Sequence, residues 1–166
     1  IAIPKAGYMV EDLSDNDLQD LFSTRMAIEK IAAEKAARHI ALDEIKALDD
    51  NLEKSQVAVK AGDDLALTEL DAEFHTIIYT AARSRSLFRI CKMLNDMTVK
   101  YRHGINHTPA LQAQMLQLHI DIYQALISKK GDLVQKAVEN HGEKAKSHLM
   151  QVMQKVRSDS FKLEQF

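Results

Sequence analysis

The chain has 166 residues, a length that suits one domain with a sizeable hydrophobic core. Its composition, with five Gly, two Pro, no Trp and 5% aromatic residues, is typical of an all-helical protein. The net charge of -2 excludes a broad basic surface, so these residues alone are not expected to bind nucleic acid strongly.

The sequence also has no feature of a secreted or membrane protein. Its single cysteine, Cys91, excludes an internal disulfide and fits a reducing compartment. No apolar run approaches the roughly 18 residues of a membrane span, and no signal peptide is visible. We therefore predict a soluble, cytoplasmic protein. Because the chain starts at Ile1 rather than Met, we also expect it to be a fragment of a longer protein.

Helical periodicity accounts for nearly the whole chain, and alternation typical of strands is confined to the first ten residues. Thr108 followed by Pro109 is a strong helix start, and Lys129, Lys130 and Gly131 together indicate a helix stop. The short breaks predict an all-α, antiparallel bundle of about six helices. The predicted helices are Ser14 or Asp15 to about Ile40, Asp43 to near Gly62, Asp63 or Asp64 to about Ala82, Ser86 to about His103, Thr108 to the stop at Gly131, and Asp132 to about Arg157.

Four polar residues occupy positions where the helical pattern would place buried apolar side chains. Asp71 and His75 lie one turn apart on the apolar face of the third predicted helix. His119 and His141 lie on the apolar faces of the fifth and sixth helices. Burying titratable groups is costly unless they are paired, and a metal ion would pair with all four. The pattern therefore predicts a metal site where three helices meet.

The residue types set the class of metal. Neutral imidazoles with a carboxylate suit Zn²⁺ or Ni²⁺ first, with Mn²⁺ or Fe²⁺ as alternatives. Because the site has no cysteine thiolate, it does not resemble the cysteine-rich structural zinc sites. Four protein ligands leave further positions on the metal for water or a small anion. One histidine on an apolar face is more often a hydrogen-bonded core residue than a ligand. Three such histidines beside an aspartate would need several independent partners, which favours the metal.

Other histidines compete for the same role. His148 lies two turns beyond His141 on the same face, so it could replace or assist a ligand. His103 and His107 flank a glycine in a predicted loop, and His39 ends the first helix, where a cation interacts favourably with the dipole. For these last three residues we predict ordinary surface roles.

Arg25 is the remaining anomaly, because it shares an arc of the first predicted helix with Leu18, Leu21 and Phe22. One interpretation is an ion pair with Glu29, one turn later. The other is that the guanidinium binds the carboxylate of a ligand whose other oxygens bind the metal. The sequence leaves both open.

These residues resemble the FCD effector-binding domain, the C-terminal domain of FadR-subfamily GntR transcriptional regulators. The resemblance covers the chain from about residue 14. The motifs are Leu21 to Glu29 (LFSTRMAIE) with the Ala-rich run after it, Asp71 to His75 (DAEFH), His119 with the IDIYQAL that follows it, and Gly131-Asp132 leading to Asn140-His141. Residues 6 to 10 (AGYMV) look like the last strand of a winged helix-turn-helix, so we expect residues 1–13 to end a missing DNA-binding domain and residues 14–166 to form the ligand-binding domain.

The resemblance implies a dimer that binds a divalent metal through Asp71, His75, His119 and His141. It also implies a small carboxylate effector, an organic or sugar acid, held in part by Arg25. From rough helical phase or proximity to the site, we add as effector-binding candidates Tyr101, Arg102 and Asn140.

The predicted function is therefore effector sensing, with operator DNA bound only through the missing N-terminal domain, and no enzymatic activity. An alternative is a metal-dependent hydrolase or an oxygen-binding enzyme. Against it, Glu73 is the nearest candidate base, and its position two residues from Asp71 and His75 should direct it away from them. A third interpretation is a sensor of the metal ion itself.

Overall fold

The computed structural model describes residues 2–3, 7–8, 13–102 and 108–163, and the predicted all-α, six-helix architecture is confirmed. A short antiparallel strand pair, β1 and β2, precedes the helices, with Ala2 opposite Tyr8 and Ile3 opposite Gly7. No described helix is both long and apolar enough to cross a membrane. The elements are β1 (Ala2–Ile3), β2 (Gly7–Tyr8), α1 (Asp15–His39), α2 (Leu42–Ala61), α3 (Asp64–Ala81), α4 (Arg85–Arg102), α5 (Pro109–Ile127) and α6 (Gly131–Leu163).

Short polar caps set where the helices begin. The Ser14 hydroxyl accepts from the backbone N–H of Asp17 at 3.2 Å while the Asp17 carboxylate accepts from the Ser14 N–H at 3.1 Å, a reciprocal capping box. The Thr108 hydroxyl caps α5 by accepting from the backbone N–H of Leu111 at 3.3 Å, without a reciprocal bond, and Pro109 follows in the first turn. These caps explain why the predicted helix starts lie within about two residues of the observed ones.

The turn between α5 and α6 differs from the prediction, because Gly131 is the first residue of α6 rather than a helix stop. Lys129 adopts the left-handed conformation instead, with φ 55°. A Cβ on Gly131 would lie 2.9 Å from Cγ of Glu34 on α1, so any larger residue here would force the Glu34 side chain to move. The last helix also continues to Leu163, six residues beyond the predicted end at Arg157.

The first helix lies at the centre of the bundle and contacts α3, α4, α5 and α6. Its alanines, including Ala32, Ala33, Ala36 and Ala37, are buried and let the neighbouring helices approach closely. The main core adds larger side chains from the other helices, among them Phe74. The first helix is therefore in contact with every helix that contributes a predicted metal ligand, namely α3, α5 and α6.

Candidate metal centre and its cavity

Three helices bring the predicted ligands together at the centre of the bundle. Asp71 and His75 come from α3, His119 from α5 and His141 from α6, and one ligand atom of each lies within 4.8 Å of all the others. The three histidines are buried, whereas the Asp71 side chain keeps 20% of its surface exposed. The His119 ring stacks on Phe74, with ring centroids 4.4 Å apart. We call these four residues the His/Asp cluster.

The spacing of the donor atoms fits a single divalent ion. His119 Nε2 lies 3.1 Å from His141 Nε2 and 3.5 Å from Asp71 Oδ1. His75 Nε2 lies 3.9 Å from the same aspartate oxygen and is buried with no hydrogen-bond partner among the described residues. An ion bonded at about 2.1 Å holds neighbouring ligand atoms roughly 3.0 to 3.4 Å apart. Small side-chain adjustments would therefore suffice to bind one.

The electrostatic surroundings keep His75 in the form that binds metals. Burial lowers the pKa of His75 well below its ordinary value, and the charge of Arg25 and the neighbouring His119 lower it further. The ring is therefore neutral at neutral pH, and a neutral imidazole is the protonation state that binds a metal. Its Nδ1 lies 3.6 Å from Oε1 of Glu29, on the side away from Asp71.

Behind His75, the bundle is closed by a buried network of polar groups. Glu29 accepts hydrogen bonds from Arg25 Nε at 2.9 Å and from the Tyr79 hydroxyl. Arg25 Nη1 donates to Oγ1 of Thr98 at 2.8 Å, which connects α1 to α4. Arg25 and Glu29 are only 5% and 4% exposed, so this is a desolvated ion pair. We call Arg25, Glu29, Tyr79 and Thr98 the sealed side of the cluster.

Burial and the charge of Glu29 shift the pKa values of Tyr79, Arg25 and the nearby Cys91. Burial raises the pKa of Tyr79 well above its ordinary value, and Glu29 raises it further, so the hydroxyl remains a donor. Burial would lower the pKa of Arg25, but its attraction to Glu29 and Tyr79 outweighs this and the pKa is raised. Burial, with Glu29, also raises the pKa of the nearby Cys91 thiol to about 12.

On the other face of the cluster, a cavity of about 100 Å³ lies between α2, α3 and α5. Asp71 and His119 form part of its wall, so it reaches two of the four cluster residues. We call this cavity the open side. The rest of its wall combines three apolar side chains with three polar ones, namely Leu67, Met115 and Leu116 with Ser55, Thr68 and Gln112.

Three of the predicted effector-binding residues, Arg25, Tyr101 and Asn140, are not among the described residues that line this cavity. Arg25 lies on the sealed side in the ion pair with Glu29, although its Nη2 has no hydrogen-bond partner among the described residues. The Tyr101 hydroxyl accepts from the backbone N–H of Leu13 at 3.2 Å, and Asn140 is exposed. The side chain of Arg102 lies outside the described residues. An effector role for these four residues therefore stays a prediction.

The remaining histidines and the candidate base lie elsewhere. His148 is not part of the His/Asp cluster found among the described residues, and His39 is exposed at the end of α1. His103 and His107 lie outside the described residues. The Glu73 carboxylate accepts from Asn51 Nδ2 on α2 at 2.8 Å, which agrees with the prediction that it is directed away from the cluster.

Sequence reasoning did not select the polar residues of the open side. Gln112 lies two turns before His119 on α5, and Thr68 lies one turn before Asp71 on α3. A search along the same helix faces would have found both positions. Ser55 on α2 has no such signal, because α2 contributes no residue to the cluster.

Known proteins resemble this chain in sequence. Residues 20–144 match the FCD domain. The HTH-type transcriptional repressor RspR of Escherichia coli is 26% identical over 161 residues, covering 97% of this chain and 70% of its own length. The HTH-type transcriptional regulator YdhC of Bacillus subtilis is 22% identical over 150 residues, which cover 89% of this chain and 66% of YdhC.

Solved structures share the fold. McbR/YncC of E. coli superposes with a TM-score of 0.83 at 18% identity, covering 90% of this chain and 75% of that one. A GntR-family regulator from Pseudomonas syringae gives a TM-score of 0.75 at 15% identity, with 96% and 66% covered. The family match spans most of the chain, and the structural neighbours share the six-helix fold. The chain therefore belongs to the FCD domain family.

Proposed function

We propose that this domain senses a small carboxylate effector, which binds beside a divalent metal held by Asp71, His75, His119 and His141. The observation that carries the proposal is the meeting of four donor atoms from three helices within 4.8 Å of one another, next to a cavity. The metal would be Zn²⁺ or Ni²⁺, with Mn²⁺ or Fe²⁺ as alternatives. When bound, it would supply coordination positions that an anionic ligand can occupy.

Each part of the site has a separate task in this proposal. The three imidazoles and the Asp71 carboxylate hold the metal, and their origin on α3, α5 and α6 ties those helices together. The apolar wall of the open side excludes water from the body of the ligand. The sealed side keeps Glu29 close to His75 and so favours the ring orientation that directs Nε2 into the cluster. Arg25 remains a candidate second anchor for the carboxylate.

Regulation would follow from unequal affinity of the effector for two arrangements of the bundle. The open side is bounded by α3 and α5, and the sealed side connects α3 to α1 and α4. Binding would therefore bias the position of α1. We propose that α1 passes this change to an N-terminal winged helix-turn-helix, of which residues 1–13 are the end, and alters operator binding. RspR, named a repressor, is a relative in which such control is plausible.

Metal removal tests the first step. We expect the purified protein to contain close to one divalent ion per chain by elemental analysis, and a chelator to lower its melting temperature. A ligand at about 100 times its dissociation constant adds roughly 2.7 kcal/mol of stability. The variant His141→Ala should lose both the ion and the response to chelator, whereas the exposed control His39→Ala should keep both. Unchanged melting after complete metal removal would contradict the proposal.

Effector binding tests the second step and separates a sensor from an enzyme. We expect small carboxylates to bind saturably to the metal-loaded protein, measured by titration calorimetry, and not to the chelated protein. Turnover of esters or of the bound acid would instead favour the hydrolase interpretation. If metal alone changed operator binding by the full-length protein, the ion itself would be the effector.

We also propose that the domain pairs with a second copy through α4. This helix exposes Ile90, Met93 and Met97 at 42%, 55% and 45%. Arg89 and Asp96 lie on the same side of α4, four residues before and three residues after Met93, so antiparallel pairing about a twofold axis near Met93 would bring each close to its opposite charge in the partner. Sedimentation should show a dimer for the wild type and a monomer for Met93→Glu. The control Leu42→Glu, at a position 84% exposed on α2, should remain dimeric.

A further inference from the structure

One polar side chain at the open side has an acceptor that no described residue uses. Gln112 is 6% exposed, and its Nε2 donates to Oδ1 of Asp64 at 2.5 Å. Because a carboxylate can only accept, this bond fixes the orientation of the amide with its NH₂ toward Asp64. Oε1 is then the other end of the amide, and it is buried with no hydrogen-bond partner among the described residues. A buried acceptor of this kind is costly unless a ligand or water pairs with it.

The hydroxyl protons of the two other polar wall residues, Ser55 and Thr68, are already used in hydrogen bonds within the protein. The Ser55 hydroxyl donates to the carbonyl of Asn51 at 2.9 Å, and the Thr68 hydroxyl donates to the carbonyl of Asp64 at 2.9 Å. Both bonds lie within their own helices. The wall thus presents acceptors to a ligand, and Gln112 Oε1 is the one of these three side-chain oxygens that makes no hydrogen bond at all among the described residues.

Between Gln112 and His119, the residues of α5 that line the cavity are the apolar Met115 and Leu116, and Leu67 of α3 adds a third apolar side chain to the wall. Each ligand hydroxyl buried against such a wall without a partner weakens binding, because it loses its hydrogen bonds to water. A sugar acid carries a hydroxyl on nearly every carbon. Because half of the wall beyond the cluster is apolar, a sugar acid would place some of these hydroxyls against apolar groups and is a poorer fit than an acid with one terminal donor, although sugar acids are among the effectors that the family resemblance implies.

The distance from Gln112 to His119 and the volume of the cavity limit the size of the ligand. Gln112 and His119 are seven residues apart on α5, about 10 Å along the helix axis. A cavity of about 100 Å³ has room for roughly seven to ten heavy atoms, at about 10 to 15 Å³ for each. The space suits a short chain that reaches from the cluster toward Gln112.

We propose that Gln112 selects the effector, and that the effector is a short-chain carboxylate of roughly four to six carbons with an apolar body and a hydrogen-bond donor at its far end. The donor is a hydroxyl or an ammonium group, and Oε1 of Gln112 accepts its proton. This inference rests on the proposed function, because the carboxylate end is placed at the metal.

The experiment compares matched ligands on metal-loaded protein by titration calorimetry. The probes are butyrate, pentanoate and hexanoate, each beside its terminal hydroxy derivative, with gluconate as the polyhydroxylated acid. We expect the best terminal hydroxy acid to bind about tenfold more tightly than its methyl-ended partner, because it satisfies the buried acceptor. Gluconate should bind more weakly than either.

Substitution of the glutamine assigns this preference to one residue. Gln112→Met keeps the length of the side chain and removes the acceptor, so the methyl-ended and hydroxy-ended acids should bind with similar affinity. The matched control is Gln114→Met, an exposed position on the same helix that should keep the tenfold preference. Melting curves of both metal-loaded variants establish that they are folded.

The outcomes separate this inference from the proposed function. If none of the acids binds in a metal-dependent manner, the proposed function fails. If the acids bind but the hydroxy derivatives have no advantage, if the advantage survives in Gln112→Met, or if gluconate binds most tightly, the selection by Gln112 is wrong while the metal-anchored site stands.

Discussion

The two sides of the His/Asp cluster use polar residues in opposite ways. On the sealed side, Glu29 has hydrogen bonds from Arg25 and Tyr79, and the donors and acceptors are almost fully matched within the protein. On the open side, a cavity remains, and Gln112 Oε1 has no partner among the described residues. A site that is proposed to hold a metal ion firmly and to exchange an effector needs both a fully hydrogen-bonded side and a side with an open cavity. We therefore expect substitutions on the sealed side to change stability and those on the open side to change ligand binding.

The largest expected effect is the removal of the buried carboxylate. In Glu29→Ala, Arg25 would stay buried without its charge partner, so we expect the free energy of unfolding to fall by about 3 to 5 kcal/mol in urea denaturation. The control is Glu139→Ala, which breaks an exposed pair with Lys30 at 2.8 Å and should cost less than about 1 kcal/mol.

A double substitution shows whether the loss comes from the orphaned charge. Replacing the pair with Arg25→Met and Glu29→Leu should recover most of the stability, because no buried charge remains. If Glu29→Ala and Glu139→Ala cost the same, the sealed side does not have the energetic character that its burial implies.

The next effect concerns one hydrogen bond of the same network. Tyr79 is 1% exposed and donates to Glu29. Tyr79→Phe should lower the free energy of unfolding by roughly 1.5 to 3 kcal/mol, since the bond is to a charged group. The half-buried Tyr123 on α5 is the control, because its hydroxyl is hydrogen-bonded to the exposed Asp49, and Tyr123→Phe should change stability less. Equal losses would show that burial does not strengthen the bond to Glu29.

The comparison of the two sides also indicates what the sequence could and could not predict. Helical phase alone placed Asp71, His75, His119 and His141 on core-facing arcs, and the structure brings them together. This worked because each residue lies inside a long amphipathic helix, where the period of 3.6 residues fixes the direction of a side chain. Capping residues such as Ser14 gave the helix starts for the same local reason.

What the sequence could not supply were distances between helices. Arg25 had two open interpretations, and only the packing of α1 against α3 and α4 shows its guanidinium bonded to Glu29 and Thr98. The cavity is a gap between three helices, so no local pattern marks it. The role of Gly131 likewise depends on Glu34, nearly a hundred positions earlier in the chain, and local turn rules assigned it to the wrong end of the turn.

A smaller effect, at Cys91 beside the sealed side, is expected in alkali. Burial, with Glu29, raises the pKa of Cys91 from its ordinary 9.0 to about 12. Above pH 9 the unfolded chain releases this proton while the folded chain keeps it, so stability is lost as pH rises toward 12. By pH 10 this amounts to about 1.4 kcal/mol. Urea denaturation at pH 8 and pH 10 should give a smaller decrease for Cys91→Ala than for the wild type; an identical decrease would mean that the thiol does not contribute.

The smallest expected effect lies on the open side, at Thr68. Its hydroxyl donates to the carbonyl of Asp64 within α3, a bond that adds little to helix stability, so Thr68→Val should change the free energy of unfolding by less than about 0.5 kcal/mol. The affinity for a terminal hydroxy acid should also be unchanged, because the Thr68 proton is not offered to the ligand. Residue 112 lines the same cavity, and Gln112→Met should differ from the wild type in its ligand preference alone. A large loss of stability in Thr68→Val would show that the open side is as tightly packed as the sealed one, and the division of tasks between the two sides would then be wrong.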